Sequence, residues 1–265
     1  AFPLAYSLLM SAFYMPIFLM LFGLILRGVA FEFRFKATES ERVLWDYAFH
    51  FGSLLAAFFQ GVILGAFVDG VEVANNAFVG SPFNWATGLS ITAGIAVVFG
   101  YALLGATWLV MKTEDVTQSW GRKVGVYALF FVAVFMGIVS IAMIIMNPVV
   151  KSVWFHPNNF YILSVIPIFT AFLFIACYRD LHIRKHEYTP FIYSICIFLG
   201  GYIGLGVGLY PWLVPFKYTI WDCAAAPESL SLMLVGVLPL LPLILGYTFY
   251  SYYVFRGKSS HEKMY

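Results

Sequence analysis

Residues 47–68 read YAFHFGSLLAAFFQGVILGAFV, a run of 22 residues without Lys, Arg, Asp or Glu, closed by Asp46 on one side and Asp69 on the other. At a rise of about 1.5 Å per residue it makes a helix of about 33 Å, enough to cross a bilayer core of about 30 Å. It shows none of the alternation expected of a barrel strand. The same test finds uncharged runs at 1–26, 86–111, 124–147, 160–178, 190–210 and 229–255, the first stopped by Arg27 and the last by Arg256. The stretch from Val73 is also uncharged, but Asn75, Asn76, Ser81, Pro82 and Asn84 make its start a loop rather than a span. Seven spans predict an all-α, polytopic transmembrane helical bundle, with 1–265 as a single integral-membrane domain.

Composition agrees. Hydrophobic residues make up 62% of the 265 and charged residues only 11%, against about 25% in an ordinary soluble domain. Too few charges remain to cover a soluble surface. The balance also argues against a nucleic-acid binder, a disordered chain or a disulfide-stapled module. Cys177, Cys196 and Cys223 are far apart and form no C-x-x-C pair, so they read as small apolar filler.

Thirteen of the 15 Lys and Arg residues fall in the segments 27–46, 112–123, 179–189 and 256–265; only Lys151 and Lys217 fall in the others. The positive-inside rule then places those four segments, and the C-terminus, in the cytoplasm. A missed or invented span would scramble this alternation. Trp85, Trp154, Trp212 and Trp221 lie at outer ends or loops, and Trp45 and Trp120 at inner ends, as interfacial belts do. Ala1 begins without Met inside an apolar run, with no preceding n-region or cleavage site. The expectation is a fragment lacking upstream helices rather than a signal peptide.

Ionisable groups inside a membrane are the default functional candidates, and the spans hold almost none. His50 is the only one, near the cytoplasmic end of its span; His156, His182, His186 and His261 lie in loops or the tail. A haem with two axial ligands needs opposed donors deep in helices, so this chain is expected to bind neither haem nor metal by itself. His182 and His186 have i, i+4 spacing but sit in a basic run with Arg184 and Lys185, which reads as a solvated face. At the end of the first span, Arg27-Gly-Val-Ala-Phe-Glu32-Phe-Arg34 places a carboxylate between Phe31 and Phe33. Aromatic shielding raises a carboxylate's pKa and a nearby Arg lowers it, and such a group relays protons if it faces a wet crevice. The alternative is a helix end where acids and bases neutralise one another. Gly61 and Gly65 form a small-xxx-small face for close helix packing, with Gln60 placed to hydrogen-bond across it.

These residues resemble subunit II of the cytochrome bd-type quinol oxidases. The matching elements are Gly23–Arg27 running into Gly28-Val-Ala-Phe-Glu32-Phe-Arg34; Trp45-Asp46 with Phe51-Gly52-Ser53; Gln60-Gly61; Gly105-Ala-Thr107-Trp-Leu-Val-Met-Lys112-Thr113; Tyr210-Pro211; Thr219-Ile-Trp221-Asp222; and the tail from Tyr247 to Lys258. They are spread in order over nearly the whole chain. Glu-Phe-Arg, where other members carry Asp-Tyr-Arg, resembles the cyanide-insensitive branch. The resemblance implies nine helices in two four-helix bundles plus one peripheral helix. Residues 1–68 then hold the last two helices of the first bundle, 86–210 the second bundle and 229–255 the peripheral helix. It further implies a bacterial cytoplasmic (inner) membrane and a heterodimer with a haem-bearing subunit I that holds haem b and haem d, oxidises quinol and reduces oxygen to water. This chain would bind no haem itself, with a structural quinone, membrane lipid and a small accessory subunit as further partners. The family's proton-path acid corresponds to Glu32, with Arg27 and Asp46 as neighbours that tune or position it. A secondary transporter is the competing class, disfavoured by the scarcity of midplane polar residues, and a purely structural membrane subunit is the third.

Overall fold

The computed structural model describes residues 1–258, leaving aside the side chain of Asn158; His261 and Lys263 lie outside the described residues. Among the described residues seven long helices have the length and apolarity to cross a membrane: α1 (Pro3–Lys36), α2 (Glu39–Asp69), α3 (Gly88–Lys112), α4 (Asp115–Met146), α6 (Pro157–Arg179), α7 (Thr189–Leu209) and α9 (Pro227–Val254). A short α5 (Pro148–Trp154) bridges α4 and α6, and a π-helical turn (Asp180–Arg184) continues α6 towards α7. The protein is a helical transmembrane bundle.

The helices run past the uncharged stretches. α1 continues nine residues beyond Arg27, and α2 begins seven residues before Asp46. A span ends at its first charge because lipid rejects it, but a helix does not. The α1–α2 turn is fixed by Thr38, whose backbone N–H and hydroxyl both donate to Glu41 Oε2, at 3.1 and 2.9 Å. α3 starts on a reciprocal cap: Thr87 N donates to Ser90 Oγ at 3.0 Å and Ser90 N to Thr87 Oγ1 at 3.2 Å.

Two antiparallel hairpins interrupt the helices. β1 (Val73–Ala74) pairs with β2 (Ala77–Phe78) through Asn75 and Asn76, at φ 50° and 59°. Asparagine tolerates that left-handed turn, which suits a two-residue hairpin. β3 (Trp212–Val214) pairs with β4 (Tyr218–Thr219), which leads into the one-turn α8 (Ile220–Cys223).

Small residues allow the closest helix contacts. A Cβ on Gly52 would lie 2.7 Å from the carbonyl oxygen of Gly23, so α1 and α2 touch backbone to backbone. α3, α4, α6 and α7 share one core: Leu103 and Val110, Ala128 and Val132, Leu173 and Cys177, and Ile197, with Leu181 of the π turn. A second cluster joins Ala5, Leu8, Ala12 and Phe13 of α1 to Ala66 of α2 and to Val71, Val214 and Cys223. α9 differs from all of these, since none of its residues is buried.

Candidate functional site

The continuation of α1 and α2 past the apolar core builds a charged helical hairpin between Arg27 and Asp46. α1 presents one face to α2: Ala30 is fully buried, and Arg34, one turn on, donates Nε to Asp46 Oδ1 at 2.5 Å and Nη2 to Oδ2 at 3.4 Å. Phe33 and Trp45 pack beside this pair with ring centroids 5.1 Å apart. Arg27 lays its guanidinium 5.5 Å over the ring of Phe49. His50 turns Nδ1 to the carbonyl of Asp46 at 2.6 Å, so its donor serves its own helix.

Glu32 lies two residues from both Ala30 and Arg34, about 200° round the helix. It therefore sits on the side of α1 turned away from α2. It is exposed, and no hydrogen bond or ion pair joins it to another described residue. Phe31 and Phe35, edge to face at 5.3 Å, flank it on the same helix. The structure thus brings Asp46 to Arg34 and Arg27 to Phe49, and bonds neither Arg27 nor Asp46 to Glu32.

In the α2–α3 contact, Tyr101 donates its hydroxyl to Gln60 Oε1 at 2.8 Å. A Cβ on Gly61 would stand 2.5 Å from the carbonyl oxygen of Ala93, and one on Gly65 2.6 Å from Cα of Ser90. Bonds between helices in lipid are worth about 0.6 kcal/mol on average, so close packing contributes more here than the Gln60 bond does.

A second polar cluster was not marked by local sequence. Glu187 accepts from Lys258 Nζ at 2.9 Å and from Gln118 Nε2 at 3.1 Å, and Lys258 also approaches Glu114 at 3.5 Å. Lys112 donates to the carbonyls of Phe255 and Gly257 at 2.7 and 3.2 Å, capping the end of α9. The bond from Lys258, then that from Gln118, holds the Glu187 carboxyl below the usual range, and Glu187 in turn pushes Lys258 up. Partners so distant in sequence leave no spacing to read; the one signal was the acid–base mixture of the segments themselves. His182 stacks on Tyr178 at 5.5 Å and His186 faces Asp180, so the two histidines do not act as a pair.

Comparison with known proteins decides what this bundle is. The family described as "Cytochrome bd terminal oxidase subunit II" matches residues 1–255. The chain belongs to that family. It is 27% identical over 278 residues to cytochrome bd ubiquinol oxidase subunit 2 of Bacillus subtilis (strain 168), covering 99% of this chain and 78% of that one. It is 25% identical over 297 residues to cytochrome bd-I ubiquinol oxidase subunit 2 of Escherichia coli (strain K12), with coverage of 99% and 78%. The bd oxidase of Geobacillus thermodenitrificans shares the fold, with a TM-score of 0.71 over 92% of this chain and 74% of that chain, at 17% identity. This subunit II is a multi-pass inner-membrane member of an oxidoreductase complex.

A cytochrome carries haem, and among the described residues the histidines offer no opposed pair of axial donors within the spans. His50 is bonded to its own helix, and His156, His182 and His186 lie at helix ends or in the connection between α6 and α7. Among the described residues no cluster of three or more His, Cys, Asp or Glu offers a metal site.

Proposed function

We propose that this chain is the haem-free subunit II of a quinol-oxidising cytochrome bd, completing a heterodimer with a subunit that carries haem b and haem d. Its relatives are named as ubiquinol oxidase subunits, and the family match runs over nearly the whole chain. The orientation follows the charge bias, with the α1–α2 hairpin, the α6–α7 connection and the tail in the cytoplasm. Residues 1–68 form part of a first bundle, 86–210 a second and 229–255 a peripheral helix. The shared core of α3, α4, α6 and α7 and the unburied α9 support that division.

Oxygen reduction consumes protons, and the chain's contribution is a cytoplasmic proton path that begins at Glu32. The observation that carries this is the state of Glu32. Asp46 on the same hairpin is tied to Arg34, Glu41 is spent capping α2 and Glu39 opens the first turn of that helix, whereas Glu32 stands on the opposite face of α1 with no partner among the described residues. An exposed carboxylate without a partner, on the side of α1 turned away from α2, is placed to pass a proton across a subunit boundary. Arg27 and Asp46 act as positioning residues, by fixing α1 against α2 rather than by touching Glu32.

The test is quinol-driven oxygen uptake and proton uptake by the assembled oxidase. Glu32→Gln keeps size and hydrogen bonding but carries no proton, and should slow turnover about 100-fold. Glu32→Asp should be milder, and haem content should stay normal in both. Full activity in the Gln variant would reduce Glu32 to a helix-surface charge.

A further inference from the structure

The connection between α6 and α7 holds titratable chemistry that the proton path does not use. Asp180 opens the π-helical turn and is only 3% exposed. Its Oδ2 accepts a hydrogen bond from the hydroxyl of Thr189 and faces Nδ1 of His186 at 3.3 Å. The His186 side chain is 53% exposed. An imidazole open to the aqueous phase therefore faces a carboxylate that is shut away from it. Arg122 of α4 clasps the same connection, donating to the carbonyls of Lys185 at 2.8 Å and His186 at 3.0 Å. One residue further, Glu187 receives Lys258, which follows directly on α9. Because α9 buries nothing, this bond, the approach of Lys258 to Glu114 at 3.5 Å and the cap from Lys112 are its polar moorings among the described residues.

We propose that residues 180–189 form a proton-sensitive strap: protonation of His186 against Asp180 tightens the connection and, through Glu187 and Lys258, the hold on that end of α9. In the orientation proposed above the strap faces the cytoplasm, the side from which oxygen reduction draws its protons; its mechanics do not depend on Glu32.

The physical reason is the change in the His186–Asp180 bond. A neutral imidazole offers Nδ1 as donor in only one tautomer, whereas the imidazolium always donates and adds a charge, and charge-assisted bonds are about twice as strong as neutral ones. The surrounding charges divide. Asp180 and Glu187 favour the imidazolium, while Arg122 on α4, Arg179 on α6 and Arg184 and Lys185 within the connection oppose it. Cys177 lies close on α6, and α7 presents Thr189 and no charged residue. Asp180 is the charged group in direct contact with the ring, whereas Arg122 is engaged by the backbone carbonyls of the connection. Glu187 and Lys258 both stay charged between about pH 5.5 and 8, because Glu187 is held below the ordinary carboxylate range and Lys258 above the ordinary amine range. A response inside that window is that of a histidine, and His186→Gln, which leaves His182 in place, assigns it to one of the two in the connection.

The experiment is hydrogen exchange with mass spectrometry on the assembled oxidase at about pH 5.5 and pH 8, corrected for intrinsic exchange chemistry. Segments 180–189 and 250–258 should each exchange about fivefold more slowly, after correction, at the lower pH. His186→Gln and Asp180→Asn should each abolish that difference in both segments. Lys258→Ala should abolish it in 250–258 and leave it in 180–189. The strap is overturned if the wild type shows no difference, if either strap variant keeps it, or if 250–258 still responds without Lys258. Normal activity of Glu32→Gln would sink the proton path and leave all of these expectations standing.

Discussion

Gly61 and Gly65 show how much a single hydrogen atom decides where two helices meet. At Gly61 the obstacle to a side chain is the Ala93 carbonyl, which is backbone and cannot swing aside. Gly61→Ala should therefore destabilise the subunit by about 1–3 kcal/mol. Gly105 has nothing within 4 Å of its missing Cβ, so Gly105→Ala should be neutral or stabilising by up to about 1 kcal/mol. Thermal unfolding of the purified oxidase with each variant checks the contrast, and equal melting temperatures would refute close packing at Gly61. The four-residue spacing of these glycines was legible in the sequence, and so was the polar character of Gln60. The donor Tyr101 was not, because 41 residues separate the partners. Asp46 and Glu32 were also legible as charges at a helix end. Which arginine takes Asp46 was not: helical phase around the buried Ala30 selects Arg34, and proximity in sequence does not express phase.

At the scale of elements, the ends of spans were readable and the ends of helices were not. A search for uncharged runs halts at Arg27 and resumes after Asp46, yet α1 and α2 continue through both because water accepts the charges and Thr38 with Glu41 closes the turn. Thr38→Ala should cost about 1 kcal/mol and fray residues 39–42, seen as faster local hydrogen exchange. The mooring of α9 has a pH dependence of definite sign. Glu187 is depressed, so its contribution is present above the ordinary carboxylate value and is lost as pH falls through its folded value. Lys258 is raised, so its contribution is present below the ordinary amine value and is lost as pH rises through its folded value. Between these limits both members of the pair keep their charge. A spin-label distance between Gly257→Cys and Lys123→Cys should stay narrow at neutral pH and broaden once the pH falls below the ordinary carboxylate range. The β1–β2 hairpin is hidden in the sequence although Asn75-Asn76 stands out there, because the same two residues serve equally as polar loop composition and as left-handed turn chemistry.

For the whole molecule, charge distribution carries the topology. In a cysteine-free background, Lys36→Cys, Lys185→Cys and Lys258→Cys should resist a membrane-impermeant thiol reagent in intact cells, while Lys217→Cys should react; labelling of the first three would invert the orientation. The polypeptide purified alone should show no Soret band, since His50 is bonded within its own helix and no second histidine lies in the apolar part of a span. The number of spans was legible because lipid imposes a length and an apolar composition on each of them. The core shared by α3, α4, α6 and α7 was not, because uniformly apolar helices carry no face that separates protein from lipid. α9 has a consequence for synthesis. Every buried member of the three hydrophobic clusters precedes Pro227, so among the described residues a nascent chain that has passed this point already holds every one of them. The bundle can close on itself while α9 is still in the ribosome, and α9 then enters the bilayer as a helix whose backbone is satisfied internally and whose side chains meet acyl chains.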